Sequence, residues 1–553
     1  MPDRRAFLKA VLAAGLAPPR LLRGEAPASA TLNNGIRLTN PWPPARDPLL
    51  IDQVLEPPYL RDPPAVIPID IGRQLFVDDF LIEETSLVRQ SHRATYRSGN
   101  PVMLPTEPWE HEDEAADRTG IPRRATAMPF SDAVLFDPSD RLFKMWYMAS
   151  YSGRTAYAVS DDGLEWRKPV LDVIDGTNLV LDLPRDSSTV WLDHRAGEPE
   201  SRFKLAIYSG RDHRVRRFLS ADGIRWRDVG LAGPSGDRTT FFYNAFRDRW
   251  VFSIRDDDIR RPDGAKIAGR FRRYWETDRF DTSETWTAND AVLWAAADRL
   301  DRQRPEFHVM PELYNLDCVA YESVLLGLFT MFRGEGPARH KPNDVCVGFS
   351  RDGFHWSRPW REPFIPVSER KGDWNWTNVQ SAGGCCLVMG DQLFFYVSGR
   401  SGIPGTDHPG TSSVGIATLR RDGFVSMNHS GSRPEAPGFL TTRPVRFAGS
   451  YVFVNANMAG GELRVEVLDR RGRIIAPFSA ANCVPVTRNG TSMLVRWSPG
   501  TSVAALAGEW VRFRFSVRNG RLYAFWVSRS RDGASNGYVG GGGPAFAGPI
   551  DAA

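Results

Sequence analysis

The sequence predicts an all-β protein, a five-bladed β-propeller followed by a C-terminal β-sandwich, and three observations predict it. A short motif recurs, as Ser160-Asp161-Asp162-Gly163-Leu164-Glu165-Trp166, Ser220-Ala221-Asp222-Gly223-Ile224-Arg225-Trp226 and Ser350-Arg351-Asp352-Gly353-Phe354-His355-Trp356. A decayed copy stands at Arg421-Asp422-Gly423-Phe424. The aspartates before glycine lie 60, 130 and 70 residues apart. One copy is therefore missing from the middle interval, near Trp286, and the chain divides into five units of about 65 residues, a period that means propeller or solenoid.

A second element repeats with the same period: a short apolar strand, a turn, then an aromatic strand. Its copies are Asp132–Pro138 with Leu142–Tyr147, Ser188–Asp193 with Phe203–Tyr208, and Thr240–Asn244 with Trp250–Ser253. Asp317–Glu322 with Leu328–Phe332 and Ala382–Leu387 with Leu393–Tyr396 complete the five. These read as the inner strands of blades. Past Pro434–Gly438 the period stops. Leu463–Val467 and Val511–Phe515 then alternate as strands with one face buried, and Asn519-Gly520 predicts a hairpin into Leu522–Trp526.

In order along the chain, residues 1–30 predict a twin-arginine export signal, with Arg4-Arg5 before Phe7-Leu8-Lys9, a short apolar run, and the small-residue site Ala28-Ser29-Ala30. That run is too short to span a bilayer, which takes about 20 apolar residues. A periplasmic or secreted location is expected. Residues 31–124, rich in proline, predict an arm that closes the propeller of 125–432. The sandwich occupies 433–535, and the glycine run at 540–543 opens a flexible tail, 536–553.

Composition narrows the function. A net charge of +4 spread over 136 charged residues leaves no strong basic field, so nucleic acid is not an expected partner. The five cysteines, Cys318, Cys346, Cys385, Cys386 and Cys483, show no metal spacing and are expected as buried free thiols. The histidines form no metal motif. No cofactor is expected, and a structural Ca²⁺ is left open.

A propeller gathers its chemistry where the innermost strands begin. The repeat alignment places Ser131-Asp132, Arg185-Asp186, Asp237-Arg238, Asp317, and Asn378-Val379-Gln380 at those starts. Aspartate disfavours strands, so four such placements point to a carboxylate-lined mouth. Glycoside hydrolysis needs that: one protonated carboxyl and one ionised, separated by their mutual charge. Arg185 and Arg238 would hold carboxylates ionised or bind sugar hydroxyls. Trp374 and Trp376, before the fifth inner strand, either stack on a sugar ring or pack between blades. Glu322 is a second candidate acid; the repeat also places it in a turn at the far end of its strand. The run His111-Glu112-Asp113-Glu114 reads as a solvated loop.

On these residues the chain resembles the glycoside hydrolase family 32, 43 and 68 superfamily of five-bladed propellers, over about 125–533. It is also similar to secreted glycosidase-like propellers of bacteria that have not been characterised. The resemblance implies Asp132, in Phe130-Ser131-Asp132, as nucleophile. It implies a transition-state stabiliser at Asp186 or Asp237, by likeness to an Arg-Asp-Pro string whose proline is absent from both. The family's acid, a glutamate before cysteine, has Asp317-Cys318 in its place, and there is no Asn-Asp-Pro-Asn-Gly string; both depart from the fructoside-specific members. The expected activity is an exported glycosidase acting on an oligo- or polysaccharide. A non-catalytic glycan-binding propeller and a sialidase- or lyase-like enzyme are the alternatives.

Overall fold

The computed structural model describes residues 30–111, 124–429 and 436–552, except for single positions 209, 262, 288, 338, 404, 405 and 407. The export signal and most of the His111–Glu114 run lie outside the described residues.

Five antiparallel blades surround one axis. In blade I the innermost position is shared by Ala125–Met128 and Val134–Asp137, followed outward by Leu142–Ala149, Arg154–Ser160 and Leu179–Leu181. Blade II is Ser188–Leu192, Phe203–Tyr208, Arg214–Ser220 and Arg227–Pro234. Blade III is Thr240–Asn244, Arg249–Asp256, Phe271–Thr277 and Val292–Ala295. Blade IV is Glu312–Glu322, Val324–Phe332 and Asn343–Ser350. Blade V is Asn378–Ser381 with Leu387–Met389, then Gln392–Arg400 and Thr411–Arg420. Blade V takes its outer strand, Thr95–Tyr96, from the N-terminal arm. It meets blade I through the parallel pairs Thr411–Ala125 and Ser412–Thr126.

The repeated motif makes the turn after the third strand of blades I, II and IV. In each copy the serine hydroxyl accepts the glycine N–H, and the aspartate Oδ1 accepts two further backbone N–H groups at 2.8–2.9 Å. Polar side chains thus satisfy a turn that no strand can. Gly223 sits at φ +78 with the Trp146 ring where its Cβ would be, so only glycine fits. The same turns lock neighbouring blades: Trp146 Nε1 of blade I donates to Gly223 O at 2.7 Å, and Tyr396 OH of blade V to Gly163 O at 2.5 Å.

The sandwich draws on the arm as well as the C-terminal chain. One sheet runs Asn489–Leu494, Tyr451–Asn457, Arg521–Ser528, Val425–Asn428 and Val88–Ser91, with Gln74–Leu75 also on Arg521–Ser528. The other runs Ile82–Thr85, Gly438–Thr442, Arg512–Arg518 and Glu462–Leu468. The hairpin expected at Asn519-Gly520 does not form. The strands on either side lie in opposite sheets, because each buries its aromatic face across the core: Phe513 and Phe515 meet Phe525 at 5.5 and 5.1 Å.

Arm, propeller, sandwich and C-terminus meet at one buried knot of charge. Arg73 Nη1 pairs with Asp422 at 2.9 Å, and its backbone N–H donates to Glu322 at 3.0 Å. Arg421 pairs with Glu322 at 3.1 Å and with Asp551 at 3.0 Å; Ser535 and Tyr321 add hydroxyls to Glu322 and Asp422. Burial would raise Asp422, but Arg73, Arg421, Tyr321 and Asn455 outweigh it and hold it below its ordinary value. Glu322 thus ends its strand, at φ +49 and at the far end from the mouth, committed to this knot.

The expected flexible tail is instead bound to the lower end of the axis. Tyr538–Val539 pairs with Tyr321 and Glu322, Gly540 N donates to Ala320 O, and Gly541 N to Cys386 O. Phe136 and Val388 donate to the carbonyls of Gly541 and Gly542. The glycines allow this contact rather than looseness, since a Cβ on Gly543 would stand 2.1 Å from Val388 O. All five cysteines are free and buried. Among the described residues no helix is long and apolar enough to cross a membrane.

Gly543→Val is therefore expected to destabilise by about 1–3 kcal/mol through overpacking, seen as a lower midpoint of chemical unfolding. Gly500→Val, where a Cβ meets nothing within 4 Å, is the control and should leave the midpoint in place.

Candidate active site

The sequence placed all four aspartates at the mouth; the structure sorts them into two layers. The inner strand of blade IV begins at Glu312, five residues before Asp317, so Asp317 stands midway down the axis. Asp132 lies in the break between the two inner pieces of blade I, beside Gly383 of blade V.

The lower layer is closed by hydrogen bonds that cross the axis. Asp132 is fully buried and accepts from Arg185 Nη2 at 2.5 Å and from the Ser188 hydroxyl of blade II. Asp317 accepts from Ser131 of blade I at 3.2 Å, Ser381 of blade V at 2.5 Å, and its own neighbour Asn315 at 2.8 Å. Thr240 of blade III donates to Leu316 O of blade IV at 3.1 Å. These bonds are why aspartate is tolerated inside a strand. Burial raises both carboxyls above their ordinary value, Asp132 against the pull of Arg185 and Ser188, Asp317 against Ser381 and Arg238.

The upper layer is the open one. Asp186 of blade II is half-buried, and its Oδ1 has no hydrogen-bond partner. Burial, and after it the charge of Asp237, pushes Asp186 up to about 6 against Arg238, Arg400 and Arg185. Asp237 of blade III is ion-paired with Arg255, and 34% of its side chain is exposed. Arg238 is buried, with Cζ 3.6 Å from the Phe130 ring, Nη1 on Phe130 O and Nη2 on Ser131 Oγ at 2.7 Å. Ser131 and Arg238 both hold left-handed backbone, φ +63 and +60, a strained conformation of the kind that collects at functional sites.

The other expected binding residues face inward. Asn378 donates to Lys341 O at 2.8 Å and receives Gln380 Nε2 at 2.8 Å. Trp376 is buried beside Arg339 and Lys371, and Trp374 lies on the backbone of Gly399 and Gly415. Sequence reasoning missed Arg255, Arg272, Tyr314 and Arg400. Arg255 and Arg400 stand at or beside the ends of second strands, which run back to the mouth; a basic residue closing an aromatic strand, as in Val397-Ser398-Gly399-Arg400, is the signal. Arg272 donates to Arg238 O at 2.6 Å and to Tyr314 O. Burial, aided by Arg255 and Arg238, pushes Arg272 down to about 9. On the same rim, burial together with Lys341, Arg124 and Arg400 pushes His340 down to about 4, so it stays neutral near pH 7. Among the described residues no three His, Cys, Asp or Glu side chains gather as a metal site.

No family model and no curated protein matches the chain. Solved structures that resemble it include a glycosyl hydrolase from Bacteroides ovatus, 14% identical over 63% of this chain and 97% of that one, TM-score 0.40. A thermostable family-43 glycoside hydrolase is 12% identical over 56% and 95%, TM-score 0.37. A structure from the GH130 family of mannoside phosphorylases, which contains hydrolases that target β-1,2 mannosidic linkages in Candida mannan, is 14% identical over 60% and 94%, TM-score 0.38. All three likenesses are distant.

The raised Asp186 predicts a pH dependence. Its folded value of about 6 exceeds the unfolded value of about 4, so the folded state binds the proton more tightly. The stability this contributes is complete below about pH 4 and is lost as pH rises through about 6. Asp186→Asn should remove that loss. Thermal unfolding of both proteins from pH 4 to 7.5 should show the variant gaining on the wild type as pH rises; parallel profiles would contradict it.

Proposed function

We propose that the protein is a glycoside hydrolase working at the upper layer of the propeller mouth, with Asp186 as proton donor and Asp237 as base or nucleophile. One observation carries this reading. Two carboxyls from adjacent blades sit close enough for the charge of one to raise the other, and only Asp237 has an ion-pair partner, Arg255. A carboxyl that holds its proton up to about pH 6 can protonate a leaving glycosidic oxygen, and its ionised neighbour can attack the anomeric carbon or activate water. No step requires a metal. Arg185 and Arg238 orient the substrate from below.

Of the pair implied by the family resemblance, Asp132 has both carboxylate oxygens committed to hydrogen bonds within the protein, and Asp317 takes three such bonds on Oδ2. They are assigned to hold the blades in register beneath the substrate. The substrate is an oligo- or polysaccharide met outside the cytoplasm, a location that rests on the paired arginines at Arg4-Arg5.

The test is a screen on a panel of aryl glycosides and plant or algal polysaccharides, followed by variants on whichever substrate turns over. Asp186→Asn and Asp237→Asn should each lower kcat by about 10²–10⁴, the scale of general acid–base catalysis, without loss of stability at the pH of the assay. Asp132→Asn and Asp317→Asn should show their first effect as lost stability. Unaltered kcat in the upper pair, with loss of turnover but not of stability in the lower pair, would move the chemistry down to Asp132 and Asp317. Binding without turnover across the whole panel would favour a glycan-binding propeller.

A further inference from the structure

The mouth holds more buried positive charge than its carboxylates pair. Arg238, Arg272 and Arg400 are at most 2% exposed, and none has a carboxylate oxygen within 4.0 Å among the described residues. Arg238 and Arg272 are at least met by neutral oxygens. Arg400 is not: its Nε and Nη2 are buried without any acceptor, and its guanidinium lies 4.8 Å from the Phe130 ring and 5.1 Å from the Tyr151 ring. Leaving a buried donor unsatisfied is costly, and more so when the group is charged. Rings on its flank offset part of that cost but accept no in-plane N–H.

The open atoms have a definite shape. Nε and Nη2 share one edge of the guanidinium, the edge that receives a carboxylate through two parallel hydrogen bonds. Arg185 adds Nε and Nη1, also buried and without acceptors, and Asp186 Oδ1 is open in the same field. Asp186 feels the charges of Arg238, Arg400 and Arg185 together, so all four belong to one electrostatic environment. A neutral sugar would offer Arg400 only hydroxyls. An oxyanion on the sugar would satisfy both of its open donors and supply the missing negative charge.

We propose that the sugar bound at this mouth is acidic, carrying a carboxylate that docks on the Nε/Nη2 edge of Arg400. This rests on the mouth being the carbohydrate site and names the class of sugar it takes. The test measures equilibrium binding by calorimetry, without turnover, on the full chain and on Arg400→Gln. The probes are a trigalacturonate, the matched neutral trisaccharide, galactose 6-sulfate and inorganic phosphate.

Wild type should bind the uronate about 10- to 100-fold more tightly than the neutral sugar, the scale of one charge-assisted hydrogen-bonded pair. Arg400→Gln should erase that difference and unfold no earlier than wild type, because it removes a charge that no carboxylate among the described residues pairs. Equal binding of the acidic and neutral sugars, or discrimination that survives in Arg400→Gln, would overturn the proposal. Arg400-dependent binding of the sulfate or of phosphate in place of the uronate would overturn the carboxylate assignment. Uronate binding that depends on Arg400 without any hydrolysis would uphold this inference and remove the hydrolase reading. Hydrolysis of neutral sugars untouched by Arg400→Gln would do the reverse.

Discussion

The structure depends on one layer of hydrogen bonds across the propeller axis. Ser188 to Asp132, Ser131 and Ser381 to Asp317, and Thr240 to Leu316 O join all five blades at a single depth. Blade faces slide easily against one another when only apolar contacts hold them, because dispersion has little directional preference. Short hydroxyl–carboxylate bonds do have direction, and in a dry interior they are strong. They set how far each inner strand rises, and so which side chains reach the mouth above.

That layer also explains why the upper rim carries unbalanced charge. Asp132 takes up one arginine, and Asp317 is satisfied by hydroxyls and an amide. Asp237 takes up Arg255, and Arg238, Arg272 and Arg400 are left to carbonyl oxygens, the Ser131 hydroxyl and aromatic rings among the described residues. Two acids of one fold, Asp132 bonded to Arg185 in space and Asp186 beside it in sequence, thereby acquire different chemistry: one closed into the frame, the other with an oxygen left unbonded. At the opposite end, the knot of Arg73, Glu322, Arg421 and Asp422 does for the arm and the sandwich what the axis layer does for the blades. Losing one partner from such a group costs about 3–5 kcal/mol, since it strands a buried charge.

Periodicity made the blades legible in the sequence. Ser-x-Asp-Gly-x-x-Trp is a local solution to a local problem, so it reads through in three copies, and the inner strands of blades II and III begin at Ser188 and Thr240 as the spacing implies. What did not read through is whatever distant segments decide. Asn519-Gly520 has the composition of a hairpin, yet Phe513 and Phe525 gain more by facing each other across the sandwich than their strands would by pairing. Gly540–Gly543 looks loose until the strand ends of blades I, IV and V are brought close enough to need residues without a Cβ. At the site, the alignment found the aspartates from their order in the repeat. It could not see that blade IV starts five residues early, nor that strands returning to the mouth deliver Arg255 and Arg400.

The bound tail and the axis layer together leave the ring without a through-passage. Side chains from all five blades close the middle, and the glycine strand closes the side of the lower end nearest blades I, IV and V. The propeller is in effect a shallow well with a solid floor. A polymer cannot be threaded along its axis, so a ligand that reaches Asp186 enters and leaves by the same open end.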